Sequence, residues 1–230
     1  MSPMSLPAAP DTREKLLAAA HDLLFERAGR NASVSEICAR AEVNVAMVKY
    51  CFGSKDGLLD ALLERVLLGL VQELDRLTAV PMTPEAKLRR HVGEIVRNYV
   101  RYPYVNRLMN ERLLSAEPGA VDHISASFAI PARDWYAALL REGREHSGWR
   151  ELDPTLFFFS VIGLCEFLFS ARPLLERAFD TTIDAQLVER YSAQVSELVM
   201  GGVLAPRERD MVASVRRAPG GPPAARRGRR

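Results

Sequence analysis

Cysteine is scarce in this 230-residue chain, and Cys38, Cys51 and Cys165 are odd in number, far apart and without CxxC spacing. That argues against a disulfide framework or a zinc cluster and for a reducing compartment. Histidine is equally thin. His21, His91, His123 and His146 are scattered, with no HExxH pair and no Ser/His/Asp context, and no glycine-rich phosphate loop is present. The chain therefore reads as a non-enzyme with no cofactor. Long apolar runs are missing too: the longest, 155–171, is interrupted by Glu166 and is too short to span a bilayer. The opening MSPMSLPAAP is polar-interrupted and proline-broken, unlike a signal peptide. The expectation is a soluble cytoplasmic protein with no membrane partner.

Excess charge of either sign is absent overall, with 31 Lys+Arg against 29 Asp+Glu. The balance is uneven along the chain. Residues 206–230 carry eight arginines and two acids, a net of +6, which leaves residues 1–205 at −4. From about Ala218 the tail is only Pro, Gly, Ala and Arg, with nothing to bury, and is expected to be disordered. It is either a solvated end or a polyanion-binding arm.

What is abundant is helical periodicity; no segment alternates with period two. Asp11 with Glu14 predicts a helix start, and Leu16, Ala20, Leu23 and Leu24 form its stripe up to Ala28-Gly29. Ser33 is the natural cap of a short helix burying Val34, Ile37 and Ala41. Asn44 caps another, to about Cys51, and Lys55 opens a long one to about Leu77. Further helices are expected over 84–101, 104–115, 120–146, 154–171, 173–179 and 183–200, with Pro131 kinking or breaking the third of these. The fold class is all-α. A three-helix unit at 11–57 precedes a larger helical domain at 58–205 and the tail at 206–230.

Residues 33–52, two short helices joined by a tight turn with a third wall before them, have helix-turn-helix geometry. The run from Val34 to Leu59 resembles the DNA-binding signature of the TetR family of bacterial transcriptional regulators. Its most specific part is Tyr50-x-Phe52-x-x-Lys55, followed by Asp56 and the pair Leu58-Leu59. The likeness covers residues 11–60; beyond that it is one of architecture.

The resemblance implies an N-terminal helix-turn-helix domain, a C-terminal ligand-binding and dimerisation domain, and double-stranded operator DNA as partner. It implies a phosphate contact from Ser33 at a helix N-terminus, and others from Tyr50 and Lys55. The outward positions of the recognition helix are then Asn44, Val45, Ala46, Met47, Lys49, Tyr50 and Cys51. Three positions depart from the family pattern. Glu42 occupies a turn site usually held by glycine, Lys49 stands where an aromatic is common, and Cys51 replaces histidine or tyrosine. Lys49 is able to reach a phosphate or a guanine edge. Charge alone says little, because residues 11–57 hold seven basic and seven acidic side chains.

In the larger domain, residues 155–169 are apolar on every side of a helix, which calls for cover from a second subunit. The family dimerises through its last two long helices, so a homodimer on a pseudo-palindromic operator is expected. Glu166 inside this run needs a partner or a raised pKa. It either bonds across an interface, the preferred reading, or points into a cavity. The resemblance further implies a pocket for an unknown small-molecule effector, with candidate lining residues Tyr99, Tyr104, Arg107, Leu108, Asn110, Glu111, Trp135 and Phe158. The function so read is a homodimeric repressor released from its operator by a small molecule. The alternative is a DNA-bound interaction protein of the same fold with no inducer.

Overall fold

The computed structural model describes residues 9–115 and 119–204, so the tail expected at 206–230 lies outside the described residues. Among the described residues the chain is all-α, its only extended pairing an isolated bridge between Trp149 and Leu204. Helix α1 (Ala9–Glu26) is followed by α2 (Val34–Ala41), α3 (Ala46–Phe52) and α4 (Lys55–Ala79). Then come α5 (Pro84–Arg101), α6 (Val105–Leu113), α7 (Ala120–Ile124), α8 (Ile130–Ser147), α9 (Pro154–Ser170), α10 (Arg172–Ala178) and α11 (Ala185–Val203).

Side-chain caps set most of the starts. Ser33 and Glu36 form a reciprocal capping box on α2. The Ser54, Thr83, Asp153 and Asp184 side chains accept from backbone N–H groups in the first turns of α4, α5, α9 and α11. Three boundaries differ from the sequence reading. Helix α1 begins before Asp11, since Pro10 is tolerated in a first turn where its missing N–H is not needed. Asn44 does accept from the Ala46 N–H (2.8 Å), but it stands one residue before the cap position, which Val45 occupies. The disruption near Pro131 lies one turn earlier, as a π-helical turn at Ser125–Ala129, and Pro131 itself opens α8.

Two apolar clusters hold the helices. The first joins Leu16, Leu17, Ala20 and Leu24 of α1 to Ile37, Val48 and the Leu58–Leu67 portion of α4, together with Tyr104, Val105 and Leu108. The second joins Leu74 of α4 to Leu88, Val92, Val96, Tyr136, Trp149, Val161 and Val199. Helix α4 therefore belongs to both. Trp149 pins the α8–α9 connection: its indole covers Gly143, where a Cβ would sit 2.1 Å from the ring, and its Nε1 donates to Glu85 Oε1 (3.2 Å). No single helix among the described residues is long and apolar enough to cross a membrane, and α9 and α10 bend by 55° at their junction.

Glu42 ends α2 in the left-handed conformation (φ 56°, ψ 41°), so the turn is indeed built without glycine. An L-residue there carries about 1–2 kcal/mol of steric cost, partly offset by the greater freedom glycine loses on folding. Glu42→Gly is expected to raise stability by about 1 kcal/mol in urea denaturation. An unchanged or lower midpoint would show that the Glu42 side chain contributes more than the strain removes.

Candidate nucleic-acid interface and internal cavity

The corner between α2 and α3 is fixed from behind. Arg27 pairs with Glu36 (2.7 Å) and Arg40 makes a bidentate pair with Glu26 (both 2.9 Å), tying α2 to α1. Val48 is buried beneath α3, and Arg13 of α1 lies over the Phe52 ring at 5.2 Å. Behind the next turn, a Cβ on Gly57 would meet the Phe52 carbonyl oxygen at 2.1 Å, so only glycine lets α4 approach the end of α3 this closely.

On the opposite face, Asn44, Val45, Ala46, Lys49 and Tyr50 are exposed, Tyr50 by 77%. Val45 and Lys49 are four residues apart, as are Ala46 and Tyr50, so they stack along one side of α3. Met47 and Cys51, both expected to face outward, are instead half-buried, and Met47 packs against the first cluster. The short helix turns too far between positions 44 and 51 for all of them to share a face. Lys55 is half-buried at the first position of α4. Among the described residues neither the Lys49 nor the Lys55 side chain makes a hydrogen bond or ion pair. A domain of balanced formal charge thus neutralises Arg27 and Arg40 internally and leaves two lysines beside the exposed face.

Ser33 differs from expectation in detail. Its hydroxyl donates to Glu36 Oε2 (2.7 Å) while accepting from the Glu36 N–H (3.3 Å). The Arg27 guanidinium first, then the Ser33 amide and hydroxyl, hold the Glu36 carboxyl down at about 2. The hydroxyl proton is therefore already committed. The unpaired donors at this helix end are the backbone N–H groups of Val34 and Ser35, a cue that a residue-type reading of Ser33 misses.

Beyond this corner, α4, α5, α6, α8 and α9 enclose a cavity of about 270 Å³. Of the eight expected lining residues, Tyr99, Asn110 and Phe158 face it. The other five do not. Tyr104 is fully buried in the first cluster, its hydroxyl 2.7 Å from His21 Nδ1. Leu108 is core. Arg107 donates from Nε to the Gly29 carbonyl (2.9 Å) and from Nη1 to the exposed Glu111 (2.8 Å). Trp135 covers the back of His91, with ring centroids 4.6 Å apart, and donates to Thr78 Oγ1.

The wall holds residues the sequence reading did not place there, chiefly His91, Tyr136 and Asn106. Glu166 also faces the cavity, correcting the preferred interface reading, and accepts from Asn106 Nδ2 (2.7 Å). Burial raises its carboxyl pKa. His91 Nε2 and the Tyr136 hydroxyl are 2.8 Å apart. Burial drives the His91 imidazole down to about 3, with Glu94 opposing, so the ring is neutral at ordinary pH. Burial also pushes the Tyr99 and Tyr136 hydroxyls up, keeping both protonated.

The His91 shift has a sign. The unfolded chain takes a proton on this ring near its ordinary value of 6.5, whereas the folded chain resists until about 3. The stability contributed by the neutral ring is present above that ordinary value and lost as pH falls through the window. The raised Glu166 pKa acts the other way, favouring the folded state as its carboxyl protonates. Denaturant titrations at pH 7 and 5.5 are expected to show a smaller loss on acidification for His91→Gln than for the parent chain. An identical loss would place the proton uptake elsewhere.

Comparison with known proteins agrees with this geometry. Residues 16–62 match the family model described as bacterial regulatory proteins, tetR family, and residues 81–209 match the tetracyclin repressor-like C-terminal domain. The chain is 32% identical over 106 residues to the HTH-type transcriptional repressor NicS of Pseudomonas putida, a stretch that is 46% of this chain and 50% of that protein. The chain thus spans about half the length of that relative. A TetR transcription regulator from Haloarcula marismortui superposes with a TM-score of 0.64 at 19% identity, covering 85% of this chain and all of that one. SmeT in complex with triclosan does so at 0.57 and 22%, covering 84% and 92%. At such identities these two likenesses concern the fold alone. With more than half of its length matched by one family model and its recognition corner by another, the chain belongs to the TetR family of bacterial regulatory proteins.

Proposed function

We propose that this regulator is a homodimeric repressor that grips a pseudo-palindromic DNA operator through α3 and is released when a small molecule enters the cavity. The observation that carries the DNA reading is the exposed face of α3, with Lys49 and Lys55 unpaired beside it. Asn44, Val45 and Ala46 meet base edges, with Met47 supporting them from its half-buried position. Tyr50 and Lys55 hold phosphates, and the N-terminus of α2 at Ser33 holds another through its backbone N–H groups.

Dimerisation is supported by α9. Leu156, Phe159, Leu164 and Phe167 form a stripe at helical spacing and are exposed, Leu156, Phe159 and Phe167 by about two thirds. Leu198 of α11 is exposed as well. Tyr191 of α11 donates to the Leu164 carbonyl, so the two helices offer one surface. Two such surfaces make an intersubunit helix bundle and separate the two α3 helices by about 34–36 Å or a larger span.

Release is supported by α6. Asn106, Met109 and Asn110 line the cavity, while the same helix and its lead-in carry Arg107 and Tyr104, bonded to Gly29 and His21 of the α1 region. A Cβ on Gly29 would lie 2.6 Å from the Pro103 carbonyl oxygen, so the two parts touch without slack. A ligand that shifts α6 thereby shifts α1 and the corner it supports. The enclosed volume favours this reading over the inducer-free interaction protein.

Selection of bound fragments from a random DNA library is expected to return a palindrome. On that operator, Lys55→Ala weakens all sequences about equally and lowers the salt slope by roughly one unit. Lys49→Ala costs about 1–3 kcal/mol and relaxes preference at one base pair per half-site if it reads a base. A uniform loss assigns Lys49 to phosphate instead. Phe159→Glu with Phe167→Glu is expected to halve the mass seen by light scattering; an unchanged mass would sink the dimer surface named here.

A further inference from the structure

The cavity wall has a charge of one sign only. Its lining includes three glutamates, Glu73, Glu94 and Glu166, and neither lysine nor arginine. Two of these carboxylates are already answered by cations on the same helices: Glu73 by Arg76 and Glu94 by Arg97, each at 2.8 Å. Glu166 has no such partner. It is the sole charged residue of α9, and its one hydrogen bond is from the neutral Asn106 amide. His91, the only imidazole in the wall, is uncharged at ordinary pH, so nothing on that side balances it.

A carboxylate set among apolar side chains without a cation is expensive, and the cost is relieved when a positive group arrives. The remaining surface suits the body of such a ligand. Tyr99, Phe128, Tyr136 and Phe158 turn aromatic rings toward the same space, and ring faces attract cations as well as apolar carbon. An anionic ligand would meet an unpartnered carboxylate and no positive group. Resting on the reading of this cavity as the effector site, we infer that the effector is an organic cation: a small amine or amidine with a planar apolar body, its positive head against Glu166.

Three molecules with the same ring test this on the full chain by calorimetry: 1-naphthylmethylamine, 1-naphthalenemethanol and 1-naphthoic acid. The amine is expected to bind at least about tenfold more tightly than the alcohol, and the acid more weakly than either. In Glu166→Gln, which keeps the hydrogen bond from Asn106, the amine falls to the affinity of the alcohol while the alcohol is unchanged. Glu166→Asp retains the preference. Should the glutamine variant not fold, Asn98→Lys places an ammonium at the same wall and is expected to reverse the order of amine and acid. The inference is overturned if the acid matches the amine, if the amine's advantage survives Glu166→Gln, or if none of the three binds. Release of a labelled operator duplex is read separately. An amine that binds through Glu166 yet leaves the duplex bound defeats the effector reading while the charge preference stands.

Discussion

Helix α4 is the member on which both halves of the molecule depend. Its first four turns bury Leu58, Leu59, Leu62, Leu63, Val66 and Leu67 in the first cluster, beside α1, α3 and α6, and farther along Leu74 enters the second cluster. A continuous helix of 25 residues is stiff over about 37 Å, so the α3 corner at its start is held in register with the cavity beyond its middle. Val66, Leu70, Glu73 and Leu74 line that cavity from the same helix whose N-terminus carries Lys55. Neither half is built without it.

The recognition corner shows how little freedom such a device leaves. Glu42 is held left-handed, and Gly57 admits the Phe52 carbonyl at a distance that no side chain would allow. Two ion pairs to α1 and the buried Val48 then fix α3 in one orientation. The energy of exposed pairs of this kind is small. Their value lies in geometry, because they occupy Arg27 and Arg40, while Lys49 and Lys55 stay unpaired beside the exposed face.

The cavity is a counterpart in which several polar groups hold one another. His91 and Tyr136 share a hydrogen bond, Asn106 answers Glu166, and Trp135 seals the back of His91. These pairs hold His91, Tyr136, Asn106 and Glu166 in place without a ligand. Its link to the DNA-binding end is short. Tyr104 and Arg107 flank the cavity-lining turn of α6 and reach His21 and the Gly29 carbonyl.

Helix positions, the Ser33 cap and the helix-turn-helix were legible in the sequence, because periodicity and capping are local and act over a few residues. Ser33 and Lys55 do locally what their positions imply. The same was true of the all-apolar run in α9, whose outward stripe stays uncovered within one chain. The cavity was legible only in part. The family resemblance offers Tyr99, Tyr104 and Trp135 as candidates, but not whether each meets packed side chains or open space. That depends on how five helices from distant parts of the chain converge. Tertiary packing sent Tyr104 into the first cluster, put Trp135 behind His91 and turned Glu166 inward toward Asn106. The local signals thus determined the elements and the exposed face of α3, while the convergence of α4, α5, α6, α8 and α9 decided which side chains border the void.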